Sequence, residues 1–189
     1  MSWTRMAATR QLLDGLGDED VIVSSLSCAT IDVWNTRDRA RNFYLFGGMG
    51  MAGSIALGIA ATRPDLRIVA LEGDGALLMN LGSLATLAVM APPNLTLIVW
   101  DNGVYESTGS QLTHSGRGVD LCAIARAAGL GRSETVRTPD EFAAALDRAG
   151  ATPGPAVIVA KVAGGTDKSK CPPWTPVWFK ERFVQAIAA

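Results

Sequence analysis

The chain has 189 residues, 48% of them apolar and 19% charged, enough for one domain with a sizeable core and too few for two comfortable ones. Its net charge of -1, with no basic run, leaves no electrostatic footprint for nucleic acid, and no stretch is apolar for long enough to span a bilayer. The N-terminus MSWTRMAATRQLLDGLGDED lacks the apolar core of a signal peptide, and Cys28, Cys122 and Cys171 are far apart with no C-x-x-C pair, which argues against an iron–sulfur, zinc or disulfide framework and for a reducing, cytoplasmic setting.

Apolar runs alternate with helical patterns along the whole chain. Strands are expected at 21–25 (VIVSS), 43–46 (FYLF), 67–72 (RIVALE), 95–100 (LTLIVW), 133–137 (SETVR) and 156–162 (AVIVAKV). Several are nearly continuous in β-branched and apolar residues, as strands buried on both faces of a parallel sheet must be. Between them the pattern predicts helices at about 27–36, 51–62, 76–90, 120–128 and 139–149, with another at about 176–187. The fifth shows its boundaries: Thr138 as cap, Pro139 at the first position and Gly150 beyond the end. Repeated strand–helix–strand order predicts a single domain with an α/β fold, a doubly wound, mainly parallel six-stranded sheet with helices on both faces.

In such sheets ligands bind beyond the carboxyl ends of the strands. Four of those ends carry polar and glycine-rich sequence: SSLS with Ser25 and Ser27, then GGMG, EGDGA and DNGVYESTGSQ. Gly48, Gly50 and Gly53 fit G-x-G-x-x-G, the fingerprint of a dinucleotide pyrophosphate site, and Glu72 follows about twenty residues later, where such a fold keeps its ribose-binding acid. A nicotinamide-binding oxidoreductase module is therefore one reading, although it leaves Asp74, Asn102 and the loop 102–116 without a role. The other starts from Asp74, set between Gly73 and Gly75 after a strand and before a helix whose first N–H groups can receive a phosphate. With the amide oxygen of Asn102 and a backbone carbonyl, Asp74 makes an oxygen set suited to Mg²⁺ carrying a diphosphate.

The stretch GDGALLMNLGSLATLAVMAPPNLTLIVWDN resembles the thiamine-diphosphate motif, which runs from GDG to a closing pair of asparagines; here the pair is Asp101-Asn102. The likeness extends over roughly 20–165. It implies Mg²⁺ ligands at Asp74, Asn102 and the carbonyl of Val104, with Tyr105 beside them at the cofactor. It implies diphosphate contacts through Gly73, Gly75, the Ala76 N–H, Ser25 and Ser27. It also rereads GGMG as a turn for the aminopyrimidine, with Met49 as the apolar wedge, the Gly47 carbonyl facing the 4'-amino group and Gly48 between them. More narrowly, NFYLFGGMGMAGSIALGIA, EGDGALLMNLGSLATLA and DNGVYESTGSQLTHS resemble the sulfopyruvate and phosphonopyruvate decarboxylase family, whose substrates are pyruvates with an acidic group on C3.

In the thiamine family the glutamate that activates the cofactor belongs to a separate pyrimidine-binding domain. The resemblance thus implies that this chain is the diphosphate-binding half, a β subunit in a hetero-oligomer with at least two of each chain. An acetolactate-synthase-like carboligase and a ferredoxin-linked 2-oxo acid oxidoreductase share the same half and stay open. His114, the only histidine, lies in the loop expected over the site, where it would either meet a substrate anion or be a solvated loop residue. Ser107, Thr108, Ser110, Gln111 and Thr113 supply that loop with neutral donors, and Trp174 and Trp178 are expected to pack on the core or on a partner.

Overall fold

The computed structural model describes residues 3–167 and 170–188. In chain order the main elements are α1 (Arg5–Asp14), β1 (Val21–Ser24), α2 (Cys28–Thr36), β2 (Asn42–Tyr44), α3 (Ala52–Thr62), β3 (Ile68–Gly73), α4 (Asp74–Met79) and α5 (Gly82–Met90). They continue with β4 (Leu95–Asp101), β5 (Val104–Tyr105), β6 (Gln111–Leu112), α6 (Leu121–Ala127), β7 (Ser133–Val136), α7 (Pro139–Ala151), β8 (Ala156–Lys161) and α8 (Pro176–Ala188). The six expected strands form one sheet in the order β2-β1-β3-β4-β8-β7, with every neighbouring pair parallel. The short strands β5 and β6 add a small antiparallel hairpin outside that sheet.

Alternation along the strands divides the core in two. Ile68 and Ala70 of β3, with Leu95, Leu97 and Val99 of β4, face α3, α5 and α6. Val69, Leu71, Ile98 and Trp100 point to the other side, toward α1, α2 and α7. The central strands are thus apolar at nearly every position because both faces are covered. At the β2 edge, α8 sends Phe183 to one cluster and Phe179 to the other, so the helix closes an edge that would otherwise expose unpaired backbone.

Two expected helices are corrected, and one helix is new. The segment 76–90 is two helices, broken at Asn80 and Leu81, and the first begins at Asp74 rather than Ala76. The helix after Thr138 runs through Gly150 to Ala151, so that glycine lies inside its last turn. The N-terminal segment, read only for what it lacked, forms α1, where Thr4 Oγ1 caps the Ala7 N–H and Ala8, Leu12 and Leu13 are buried. A parallel bridge from Thr4 to Ala163, with the Arg5 N–H donating to the Ala163 carbonyl at 2.9 Å, ties this helix to the chain that follows β8. Among the described residues no helix is long and apolar enough to cross a membrane.

Sequence order and spatial order diverge at one place that matters. From β1 the chain moves outward to β2, then returns to β3 on the opposite side of β1 and continues toward β4. Between the carboxyl ends of β1 and β3 the crossovers leave in opposite directions, which opens a crevice there. Trp100 forms part of its floor and is braced from behind by Phe142, whose ring centroid lies 5.5 Å away, while Trp3 packs on Phe142 at 5.4 Å. Phe142 is fully buried. Replacing it with Ala is expected to cost about 3–5 kcal/mol of stability, read as a shift of the urea midpoint without a change of slope.

Candidate active site

The crevice is an open cleft lined by Ser25, Ser27, Met49, Gly73, Asp74, Gly75, Ala76, Asn102, Val104 and Tyr105 together with Arg5, Glu106 and Trp100. Each strand end contributes for a reason visible in its own segment. After β1 the backbone of Ser27 takes φ 64°, ψ -123°, a strained conformation for a residue with a side chain. It turns the chain sharply into α2; the Ser27 side chain does not cap that helix, and among the described residues no other side chain does. The first N–H groups of α2 therefore remain open for an anion. After β3, Gly73 leads straight into α4, with Asp74 as its first residue. A Cβ on Gly73 would meet nothing within 4 Å, so the glycine leaves room in the cleft that a side chain would fill.

Asp74 is buried, and both Thr113 Oγ1 and Ser115 Oγ donate to its Oδ2, at 2.5 Å and 2.6 Å. Burial pushes its carboxyl up; the two hydroxyls pull it back, and the nearby charge of Asp101 pushes it further up. Such a group gains from a cation. Asn102, on the neighbouring strand end, accepts the Val104 N–H on Oδ1 at 3.1 Å and donates through Nδ2 to Glu106 Oε2 at 3.0 Å. Tyr105 lies so close to Gly75 that a Cβ there would come within 2.2 Å of its Cε1. Among the described residues no three His, Cys, Asp or Glu side chains form a metal cluster. A single carboxylate, an amide oxygen and a carbonyl are a donor set for a hard ion that brings anionic oxygens with it, and a magnesium diphosphate fits that chemistry. The Asp101 that replaces an asparagine lies 2.9 Å from Ser115 Oγ, whose single proton it shares with the closer Asp74, and is paired with Lys161 Nζ, which balances its charge.

The turn Gly47–Gly50 stands opposite. Gly48 and Gly50 have φ of 71° and 84°, and a Cβ on Gly50 would lie 2.6 Å from the Ala76 carbonyl. Glycine is required there because this turn and the start of α4 lean on each other, and between them Met49 reaches the cleft. Gly47 is exposed and is not among the lining residues. His114 is exposed as well and stays outside the cleft; its neighbours Thr113 and Ser115 turn inward to Asp74 instead. That inside–outside alternation in LTHSG was the signal for them. Arg5 and Glu106 had no such signal, since they are far apart in the chain and meet only in the fold.

Glu72 separates the two readings of the glycines. Its Oε1 accepts the N–H groups of Ala52 and Gly53 at 2.7 Å and 3.3 Å, so an internal carboxylate occupies the N-terminus of α3. A dinucleotide pyrophosphate would need that same position. The G-x-G-x-x-G is therefore a turn leading into a helix already capped from within. Burial pushes the Glu72 carboxyl up, against the pull of the Ser25 hydroxyl and those two N–H groups. A folded-state value raised above the ordinary 4.5 means that stability is lost as pH rises through it. Glu72→Gln should therefore match the native chain in thermal melts at acid pH and become progressively the more stable of the two as the pH is raised to about 8.

The family model described as thiamine pyrophosphate enzyme, C-terminal TPP binding domain, matches residues 25–160. The chain is 37% identical to the sulfopyruvate decarboxylase subunit beta of Methanocaldococcus jannaschii, over 97% of this chain and 96% of that protein. It is 39% identical to the phosphonopyruvate decarboxylase of Streptomyces viridochromogenes over 95% of this chain, and there it spans only 45% of the relative. In fold it is similar to the Rhodococcus jostii thiamine diphosphate-dependent 4-hydroxybenzoylformate decarboxylase, with a TM-score of 0.75 at 22% identity, covering 89% of this chain and 34% of that one.

Proposed function

The chain belongs to the thiamine pyrophosphate enzymes, matching their C-terminal TPP-binding domain, and from that premise we propose that it is the β subunit of a two-chain decarboxylase. Its substrate is a 2-oxo acid with an acidic group on C3, sulfopyruvate or phosphonopyruvate, and its products are CO₂ and the aldehyde. The observation that carries this reading is the convergence of Asp74, Asn102 and Val104 beside the uncapped start of α2, at the crevice between β1 and β3. When bound, thiamine diphosphate supplies the electron sink that a 2-oxo acid needs to lose CO₂. The chain's own residues hold and orient it. Asp74, Asn102 and the Val104 carbonyl take Mg²⁺, and the N–H groups at the starts of α2 and α4, with Ser25 and Ser27, take the diphosphate. By the family resemblance Met49, which reaches the cleft, would be the apolar wedge, and the carbonyl of the exposed Gly47 would meet the pyrimidine. For the acidic tail of the substrate, Ser107 at the cleft and the exposed Thr108, Ser110 and Gln111 offer neutral donors.

Two features support a partner chain that carries the activating acid. Neither glutamate near the cleft is free for that role, because Glu72 caps α3, and Glu106 accepts from Arg5, Asn102 and the N–H groups of Gly165 and Thr166. In addition, α3 packs beside α5 and neither contains a charged residue. Met79 is 65% exposed and Val89 85%, with Met51 and Met90 also exposed, so this face suits an apolar partner surface. The family resemblance adds that the partner is the pyrimidine-binding subunit, with at least two of each chain in the assembly. A carboligase would share every cofactor contact. The names borne by the relatives that align along nearly the whole chain support the decarboxylase.

Calorimetric titration tests this reading. Thiamine diphosphate should bind only with Mg²⁺, more tightly when the pyrimidine-binding subunit is present, and Asp74→Ala should abolish the heat. Binding of NAD⁺ in place of thiamine diphosphate would overturn the reading; with both chains present, sulfopyruvate and phosphonopyruvate should release CO₂.

A further inference from the structure

Beside Asn102, at the wall of the same cleft, lies a cluster to which no ligand contact has been assigned. Glu106 Oε2 accepts from Arg5 Nη1 at 2.8 Å and from Asn102 Nδ2 at 3.0 Å. Its Oε1 accepts the N–H groups of Gly165 and Thr166 at 3.1 Å and 3.3 Å. Arg5 is itself buried and is fixed by Asp32 Oδ2 at 2.7 Å and by the hydroxyl of Thr166. A Cβ on Gly164 would stand 2.8 Å from Glu106 Oε2 and 3.5 Å from Asn102 Nδ2, so the segment after β8 lies directly on the pair.

The two ends of a carboxamide have nearly the same shape and opposite chemistry: one accepts, the other only donates. An asparagine serves a cation only if its oxygen is the end presented. We propose that Glu106, clamped by Arg5 and the 164–166 backbone, is the positioning residue that fixes this choice at Asn102. Turning the amide over would set Oδ1 against the Glu106 carboxylate and the NH₂ group against the Val104 N–H, two repulsive contacts in place of two hydrogen bonds. The clamp also carries charge. Arg5 offers one positive charge to the two carboxylates of Asp32 and Glu106, so the cluster as a whole favours a cation beside it. The inference rests on Asn102 being a metal ligand, and Glu106 acts through that residue without touching the metal.

The test is titration of the full chain with Mn²⁺ at saturating thiamine diphosphate, with free Mn²⁺ followed by electron paramagnetic resonance. Glu106→Leu should raise the Mn²⁺ Kd by about 10–100-fold, the usual cost of removing a partner that orients a ligand. Glu106→Gln should raise it less, because its amide oxygen can still accept from Asn102. The reciprocal change is the sharper one. A carboxylate at position 102 would be a good Mn²⁺ ligand on its own, yet here it would face Glu106. Asn102→Asp should therefore weaken Mn²⁺ binding, and adding Glu106→Gln to it should restore affinity. An unchanged Kd in Glu106→Leu, with its far-ultraviolet circular dichroism intact, overturns the proposal. If Glu106→Leu does not fold, the Asn102→Asp pair decides, and failure of the double variant to recover affinity overturns it equally. Retention of metal-dependent cofactor binding by Asp74→Ala, or its absence from the native chain, would instead remove the cofactor reading and this proposal with it.

Discussion

An ionised carboxylate taken out of water costs several kcal/mol unless hydrogen bonds or an opposite charge offset it, and the strand edge of this protein is organised around that cost at Asp74. Two hydroxyls reach one of its oxygens, and among the described residues no cationic side chain pairs with it. Its neighbour Asp101, by contrast, has Lys161. The asymmetry sets the division of labour: one acid is neutralised internally and serves the architecture, while the other is left to be completed from outside. The loop 113–115 exists in its inward-facing form because Asp74 needs those hydroxyls. Tyr105 can approach the start of α4 because Gly75 has no side chain.

The same placement of charge decides how the helix starts are used. Helices α2, α3 and α4 all begin near the cleft. The start of α3 is closed by Glu72, whereas α2 is left without a side-chain cap and α4 opens on Asp74 itself. A parallel sheet offers several anion sites of nearly equal quality, and a buried carboxylate is a simple way to close one. The strain at Ser27 belongs to the same arrangement, for it aims the open start of α2 into the crevice.

The sheet was legible because its strands are buried on both faces and read as unbroken apolar runs; all six agree with the structure within a residue or two at each end. The break at Asn80 was not, since LLMNLGSLATLAVM keeps a helical apolar spacing across it, and only the tertiary bond from Asn80 Nδ2 to the Gly50 carbonyl gives that residue its role. Helix α1 escaped notice although Thr4, Ala8, Leu12 and Leu13 carry its cap and its buried stripe. In the cleft, glycine-flanked Asp74 was readable from local spacing, and the turn at Met49 from the family resemblance. Glu72 was visible but of uncertain use, because which helix it caps depends on packing across the sheet. Arg5 was invisible for a stronger reason: 101 positions separate it from Glu106, and no local pattern encodes a contact at that distance.

That last pair says something about where this domain ends. The segment matched by the family model, 25–160, contains every residue assigned to metal or diphosphate. It excludes Arg5 on one side and Gly164, Gly165 and Thr166 on the other, which together grip Glu106. A boundary drawn around the recognisable core would keep all the ligands and discard the brace behind one of them. Trimming of that kind, in engineering or in the divergence of relatives, would preserve the outline of the fold while loosening the hold on Asn102.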